Sequence, residues 1–141
     1  MRDTISLYRL AEEKGVEVDF FPLRRAQSLS MPLPGRQGRC AIAMDPDKLT
    51  TAADEKVKLC HELGHCLTGS FYNRYAPLDL RQRHELHADR WAVAQLVPRE
   101  ELTQALDRGL TQVWELADHF EVTEDFMRKA LTHYHLLDMT L

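Results

Sequence analysis

The chain has 141 residues, of which 44% are hydrophobic and 28% charged, and a formal net charge of −4. That is the profile of one globular domain able to bury its own core, which excludes disordered and fibrous classes and leaves any bound metal free for chemistry. The charge excess is confined to the end of the sequence: residues 111–141 carry 2 basic residues, Arg128 and Lys129, against 6 acidic ones. Such a tail is a poor phosphate binder, which disfavours nucleic acid as the partner. The first 14 residues mix charges with apolar groups and do not form a signal peptide, and no segment has the length and apolarity of a membrane span. The cysteines Cys40, Cys60 and Cys66 are odd in number and lack CxxC spacing. They therefore argue against a disulfide framework and a cysteine zinc site, and place the chain in a reducing cytoplasm.

In chain order, residues 4–14 read as a helix with Thr4 as N-cap and Gly15 as its stop. Val16, Val18 and Phe20 alternate with acidic residues, the period of a half-buried strand, and two more short strands are expected over 29–33 and 39–44. Thr51 and Asp54 have the form of a capping box, opening a helix that runs to Thr68 with Gly69 at its end. A loop rich in aromatics, 71–77, leads to a helix over 80–96 that Pro98 terminates. Helices are expected over 100–107, 112–119 and 124–136. The fold class is α+β within one domain: a small sheet with a helix (1–48), two motif-bearing helices (51–97) and a helical tail (99–141).

The chemistry sits in the middle of this order. His61-Glu62-Leu63-Gly64-His65 is an HExxH sequence. On a helix, residues four apart differ by only about 40° in azimuth and about 6 Å in height, so both imidazoles reach one ion while Glu62 projects beside them. A catalytic zinc needs a third protein ligand and one open position. Glu85, in Glu85-Leu86-His87-Ala88-Asp89, supplies the ligand on a neighbouring helix, ahead of the competing His84 and His87. Asp89 shares a face with Glu85; it either orients a ligand histidine or sits in a surface ion pair with a residue such as Arg90. Ala88 is small enough to let the two helices approach. Gly64 reads either as room for a strand or substrate backbone or as incidental, and Cys60 and Cys66 as packing residues. Glu62 is then the general base for an attacking water, with Tyr72, Tyr75 and His84 as alternative donors to the developing oxyanion.

With both motifs in place, the chain resembles the ImmA/IrrE family of metallo-endopeptidases. The likeness rests on the HExxH sequence, on Glu85-Leu86-His87-Ala88-Asp89-Arg90-Trp91-Ala92 and on Leu96-Val97-Pro98. It departs from the family pattern at His87, where Glu is usual, and at Trp91, where Phe is usual. The resemblance implies a zincin-like fold and a cytoplasmic bacterial zinc endopeptidase with His61, His65 and Glu85 as ligands and Glu62 as base. It also implies a helix-turn-helix repressor of a mobile element or stress response as substrate. The alternative is a non-catalytic, metal-containing module that controls a repressor by contact. Residues 116–127 have helix-turn-helix spacing, with Val122 and Met127 placed as a hydrophobic staple around a Thr123 cap. The acidic balance there favours packing or repressor docking over DNA binding.

Overall fold

The computed structural model describes residues 2–35, 39–73 and 75–135. Its elements are α1 (Thr4–Glu13), β1 (Glu17–Phe20), β2 (Ser28–Pro32), β3 (Cys40–Met44), a 3-10 turn (Pro46–Lys48), α2 (Ala52–Thr68), α3 (Leu78–Leu96), α4 (Arg99–Asp107), α5 (Val113–Phe120) and α6 (Glu124–His133). The architecture is α+β, as expected. The most continuously apolar strand, Cys40-Ala41-Ile42-Ala43-Met44, lies at the centre of the sheet, because only a central strand covered on both faces can bury such a run. β1 pairs with it in parallel, Glu17 opposite Ala41, and β2 pairs antiparallel, Ser28 opposite Met44 and Ser30 opposite Ile42. Both outer strands are edges. The alternation expected along β1 holds only in part, since Val16 is buried just before the strand while Phe20 is 48% exposed.

α1 is capped by Asp3, whose side chain accepts from the Ser6 amide, and not by Thr4. Asp is the better cap because its carboxylate also answers the positive end of the helix. At α2, Thr51 Oγ1 accepts from the Asp54 amide at 3.0 Å, the expected half of a capping box. In return the Asp54 carboxylate accepts from the Thr50 amide, not from that of Thr51. Gly69 ends the helix at φ 69°, a left-handed turn that glycine adopts freely. α3 starts two residues earlier than the sequence suggests, straight after Pro77. The expected C-terminal helix reaches 136, but α6 ends at His133, and residue 136 lies outside the described residues.

One cluster of buried side chains runs from Leu7 in α1 through Ile42, Leu59, Leu63 and Leu96 to Phe120 and Leu131 in the tail. Val122 and Met127 belong to it, and Thr123 caps α6 by accepting from the Phe126 amide. The apolar positions of the tail's helix-turn-helix spacing are therefore core residues. Lys56, buried in α2, donates to the Phe120 carbonyl at 2.9 Å and so ties the motif helix to the C-terminal end of α5. Cys60 is a buried free thiol, as expected. Cys66 is not: it forms a disulfide with Cys40, joining α2 to β3. Where α2 crosses the central strand the two Cα atoms lie 5.7 Å apart, a spacing that a disulfide spans and that an odd cysteine count does not forbid. The thiol count thus gives no support to a reducing compartment. Among the described residues no helix is long and apolar enough to cross a membrane.

Candidate metal centre

α2 and α3 pack along each other, and Gly64 is the reason they can do so closely. A Cβ built at Gly64 would lie 2.7 Å from the Ala88 carbonyl oxygen and 3.1 Å from its Cα. The neighbour that needs the missing side chain is thus the second motif helix, not a strand or a substrate. Gly64 and the small Ala88 sit between the residues that matter on each helix, so their contact sets how near Glu85 comes to the two rings.

The result is a tight triangle. His61 Nε2 lies 2.8 Å from Glu85 Oε2, His65 Nε2 lies 3.2 Å from Glu85 Oε1, and the two Nε2 atoms are 3.2 Å apart. On the far side of each ring Nδ1 faces an acceptor. His61 Nδ1 meets Asp89 Oδ1 at 2.9 Å, and His65 Nδ1 meets the carbonyl of Ser70. Gly69 makes that second contact: its left-handed turn brings the chain back, Ser70 N bonding to His65 O while the Ser70 carbonyl reaches the ring. Because carboxylate and carbonyl can only accept, each Nδ1 carries the hydrogen, and in a neutral imidazole the Nε2 lone pair then points inward. Two lone pairs and a carboxylate facing one another across about 3 Å need positive charge between them. A tetrahedral ion with bonds of about 2.0–2.2 Å would hold its ligand atoms roughly 3.3–3.5 Å apart, so this donor set fits zinc with little adjustment.

Protons can supply that charge instead, and the titration behaviour shows the same pull. Burial works against a charged His61, but its hydrogen bonds to Asp89 and Glu85 outweigh that and raise its pKa to about 10. His65 is raised for like reasons, burial being overcome by Glu85 and the Ser70 carbonyl. Hydrogen bonds from His61 and then His65 hold the Glu85 carboxyl well below the usual carboxylate range. Asp89 is lowered too: burial opposes its charge, but the His61 hydrogen bond and the Lys129 ammonium prevail. Lys129, from α6, lies 3.2 Å from Asp89 Oδ2. Asp89 therefore combines both roles left open by the sequence, one oxygen on His61 and the other in an ion pair, though with Lys129 and not Arg90.

A cavity of about 240 Å³ opens over the triangle, lined among others by Ser28, Ser30, Glu62, Phe71 and Tyr72. Glu62 is buried at its wall and takes hydrogen bonds from Ser28 and Ser30. Of the three candidate oxyanion donors, Tyr72 has its hydroxyl in the site, 2.8 Å from Glu85 Oε1. His84 stacks behind the Tyr72 ring with its Nδ1 buried and unpartnered among the described residues, while Tyr75 is 78% exposed. Burial and the Glu85 hydrogen bond raise the Tyr72 pKa, keeping the hydroxyl protonated as a donor. His87 stays outside the triangle, with Nδ1 near Ser70 Oγ. Sequence reasoning missed Ser28, Ser30, the Ser70 carbonyl and Lys129. The two serines left only a weak signal, polar residues two apart at the start of the strand expected over 29–33.

The family model of peptidase M78, the IrrE N-terminal-like domain, matches residues 11–132, a span that holds every residue of this site. The chain belongs to this peptidase family. No curated protein matches it. As an IrrE N-terminal-like peptidase it acts on a protein substrate, and His61, His65 and Glu85 form a group that could hold the metal such a family implies.

Proposed function

We propose that this chain is a zinc-dependent endopeptidase in which His61, His65 and Glu85 are the ligands and Glu62 is the general base. The observation that carries the reading is the convergence of His61 Nε2, His65 Nε2 and Glu85 on one point, with both Nδ1 atoms committed elsewhere. A bound zinc ion would polarise the scissile carbonyl and acidify a water at neutral pH. Glu62 takes one proton from the attacking water as the carbon–oxygen bond forms, then passes it to the amide nitrogen as the carbon–nitrogen bond breaks. Tyr72 is the donor to the charge that builds on the carbonyl oxygen, its hydroxyl turning from Glu85 to the substrate.

The substrate we infer is a helix-turn-helix repressor of a mobile element or stress response. The resemblance to ImmA/IrrE endopeptidases supports this, and the acidic tail is consistent with docking a basic DNA-binding protein. Glu62→Gln should keep its zinc yet lose roughly 10²–10⁴-fold in cleavage of a repressor encoded beside it. Metal analysis paired with a gel assay reads both quantities. Wild-type cleavage by Glu62→Gln would remove the base, and equal derepression by both proteins in cells would favour regulation by contact.

A further inference from the structure

Glu62 is only 6% exposed, and a carboxylate placed so deeply needs donors. It has two, and both come from the edge strand: Ser28 Oγ donates to Oε2 and Ser30 Oγ donates to Oε1, each at 2.8 Å. The serines are two residues apart, so the period of the strand puts them on one face. Their pairing opposite Met44 and Ile42 puts them on the same face of the sheet as those two buried side chains. A single donor would leave the carboxylate free to turn about its last torsion. Two donors, one on each oxygen, define its plane. An ionised carboxylate offers about four lone-pair sites, so each oxygen keeps one, and the open side of the group is the cavity that it shares with His61 and His65.

We propose that Ser28 and Ser30 are positioning residues that hold the Glu62 carboxylate plane in the orientation from which it takes a proton. This rests on Glu62 being the base. The hydroxyls of both serines are bonded to Glu62 and so act through it, and a misplacement of about 1 Å in such a group can reduce turnover by as much as 100-fold.

Threonine and valine have the same shape and both suit a strand, but only threonine keeps the hydroxyl. Ser28→Thr/Ser30→Thr should retain turnover within a few-fold of wild type. Ser28→Val/Ser30→Val should lose roughly 10–100-fold in kcat, with KM and zinc content unchanged. The assay is cleavage of a purified helix-turn-helix repressor that the wild-type chain cuts, followed at saturating and limiting concentrations. Equal kcat for the two pairs overturns the proposal, as does a loss confined to KM, which would make the serines part of the substrate groove. Glu62→Gln run in parallel separates the two ideas. If it cleaves normally, the base assignment has failed; if it is dead while the valine pair turns over like the threonine pair, only the clamp has failed. Ser28→Ala/Ser30→Ala adds no bulk and serves if the branched variants do not fold. In it the Glu62 carboxyl carbon should shift in the ¹³C NMR spectrum, and an unchanged resonance would show that the hydroxyls do not hold the group.

Discussion

Asp89 and the Ser70 carbonyl occupy the Nδ1 side of the two histidines, so the Nε2 side must face Glu85 either with protons or with a metal. Proton and ion compete for the same lone pairs, and the raised pKa of His61, about 10, sets the range of that competition. In chelator-stripped protein His61 holds its proton at neutral pH, and binding zinc must expel it. Apparent zinc affinity should therefore rise with pH, by roughly tenfold per unit for each proton displaced, up to about pH 10. Stability of the stripped protein runs the other way. Between the ordinary histidine pKa of 6.5 and about 10 the folded chain keeps a proton that the unfolded chain has released, so this contribution is lost as pH rises through that window. Calorimetric zinc titrations in buffers of different ionisation enthalpy would count the protons; a pH-independent affinity would contradict the hydrogen-bond pattern. At this scale the sequence was informative where a role depends on local spacing. His61, Glu62 and His65 are set by one helix, and Glu85 with Asp89 by another. Ser28 and Ser30 carry no such spacing to Glu62, because a strand 32 to 34 residues away meets the site only after folding, whereas the Ser70 contact is local to His65 but made by a backbone carbonyl that no side-chain motif records.

Between α2 and α3 the decisive contact is a glycine against a backbone carbonyl. Gly64→Ala places a methyl group 2.7 Å from Ala88 O, and backbone cannot swing aside as a side-chain tip can, so one helix must move. Alanine's better helix propensity returns only about 1 kcal/mol, whereas overpacking of this kind typically costs about 1–3 kcal/mol. We expect Gly64→Ala to lower stability by up to about 2 kcal/mol net and to weaken zinc binding, since the displaced helix carries Glu85. Urea unfolding together with a competitive zinc indicator tests both, and unaltered zinc affinity would mean that helix spacing does not set the ligand geometry. The close approach is half legible in the sequence: Ala88 is plainly small enough for two helices to meet there, but Gly64 suits a strand or a substrate backbone as well as a helix. Helix ends were legible where a cap is chemically distinct, as at Thr51, Gly69 and Thr123. The start of α1 was not, because Asp3 and Thr4 are both good caps and only the folded chain shows which one turns toward the Ser6 amide.

Over the whole molecule, α2 is held from three sides. Lys56 binds the end of α5, Glu62 reaches β2, and Cys66 is bonded to Cys40 of β3, so the helix that carries both histidines is fixed to the tail and to two strands of the sheet. None of these ties was legible, since each links residues at least 26 apart in sequence and depends on which faces the sheet and helices turn to one another. The disulfide can be removed without changing a residue that lines the site. It closes a loop with a sequence separation of 26, and the chain-entropy relation gives roughly 3.5 kcal/mol for a loop of that size. Urea unfolding in the presence and absence of reductant should therefore differ by about that amount, and Cys40→Ala/Cys66→Ala should match the reduced protein in both conditions. Cys60→Ala should leave the difference intact, because its buried thiol takes no part in the bond. Zinc affinity should change far less than stability, since the ligand triangle is set by α2 against α3 and the tether joins α2 to the sheet. Coincident unfolding curves with and without reductant would show that the tie does not stabilise the fold. An equal loss in zinc affinity would place the sheet, and not α3, in control of the metal centre.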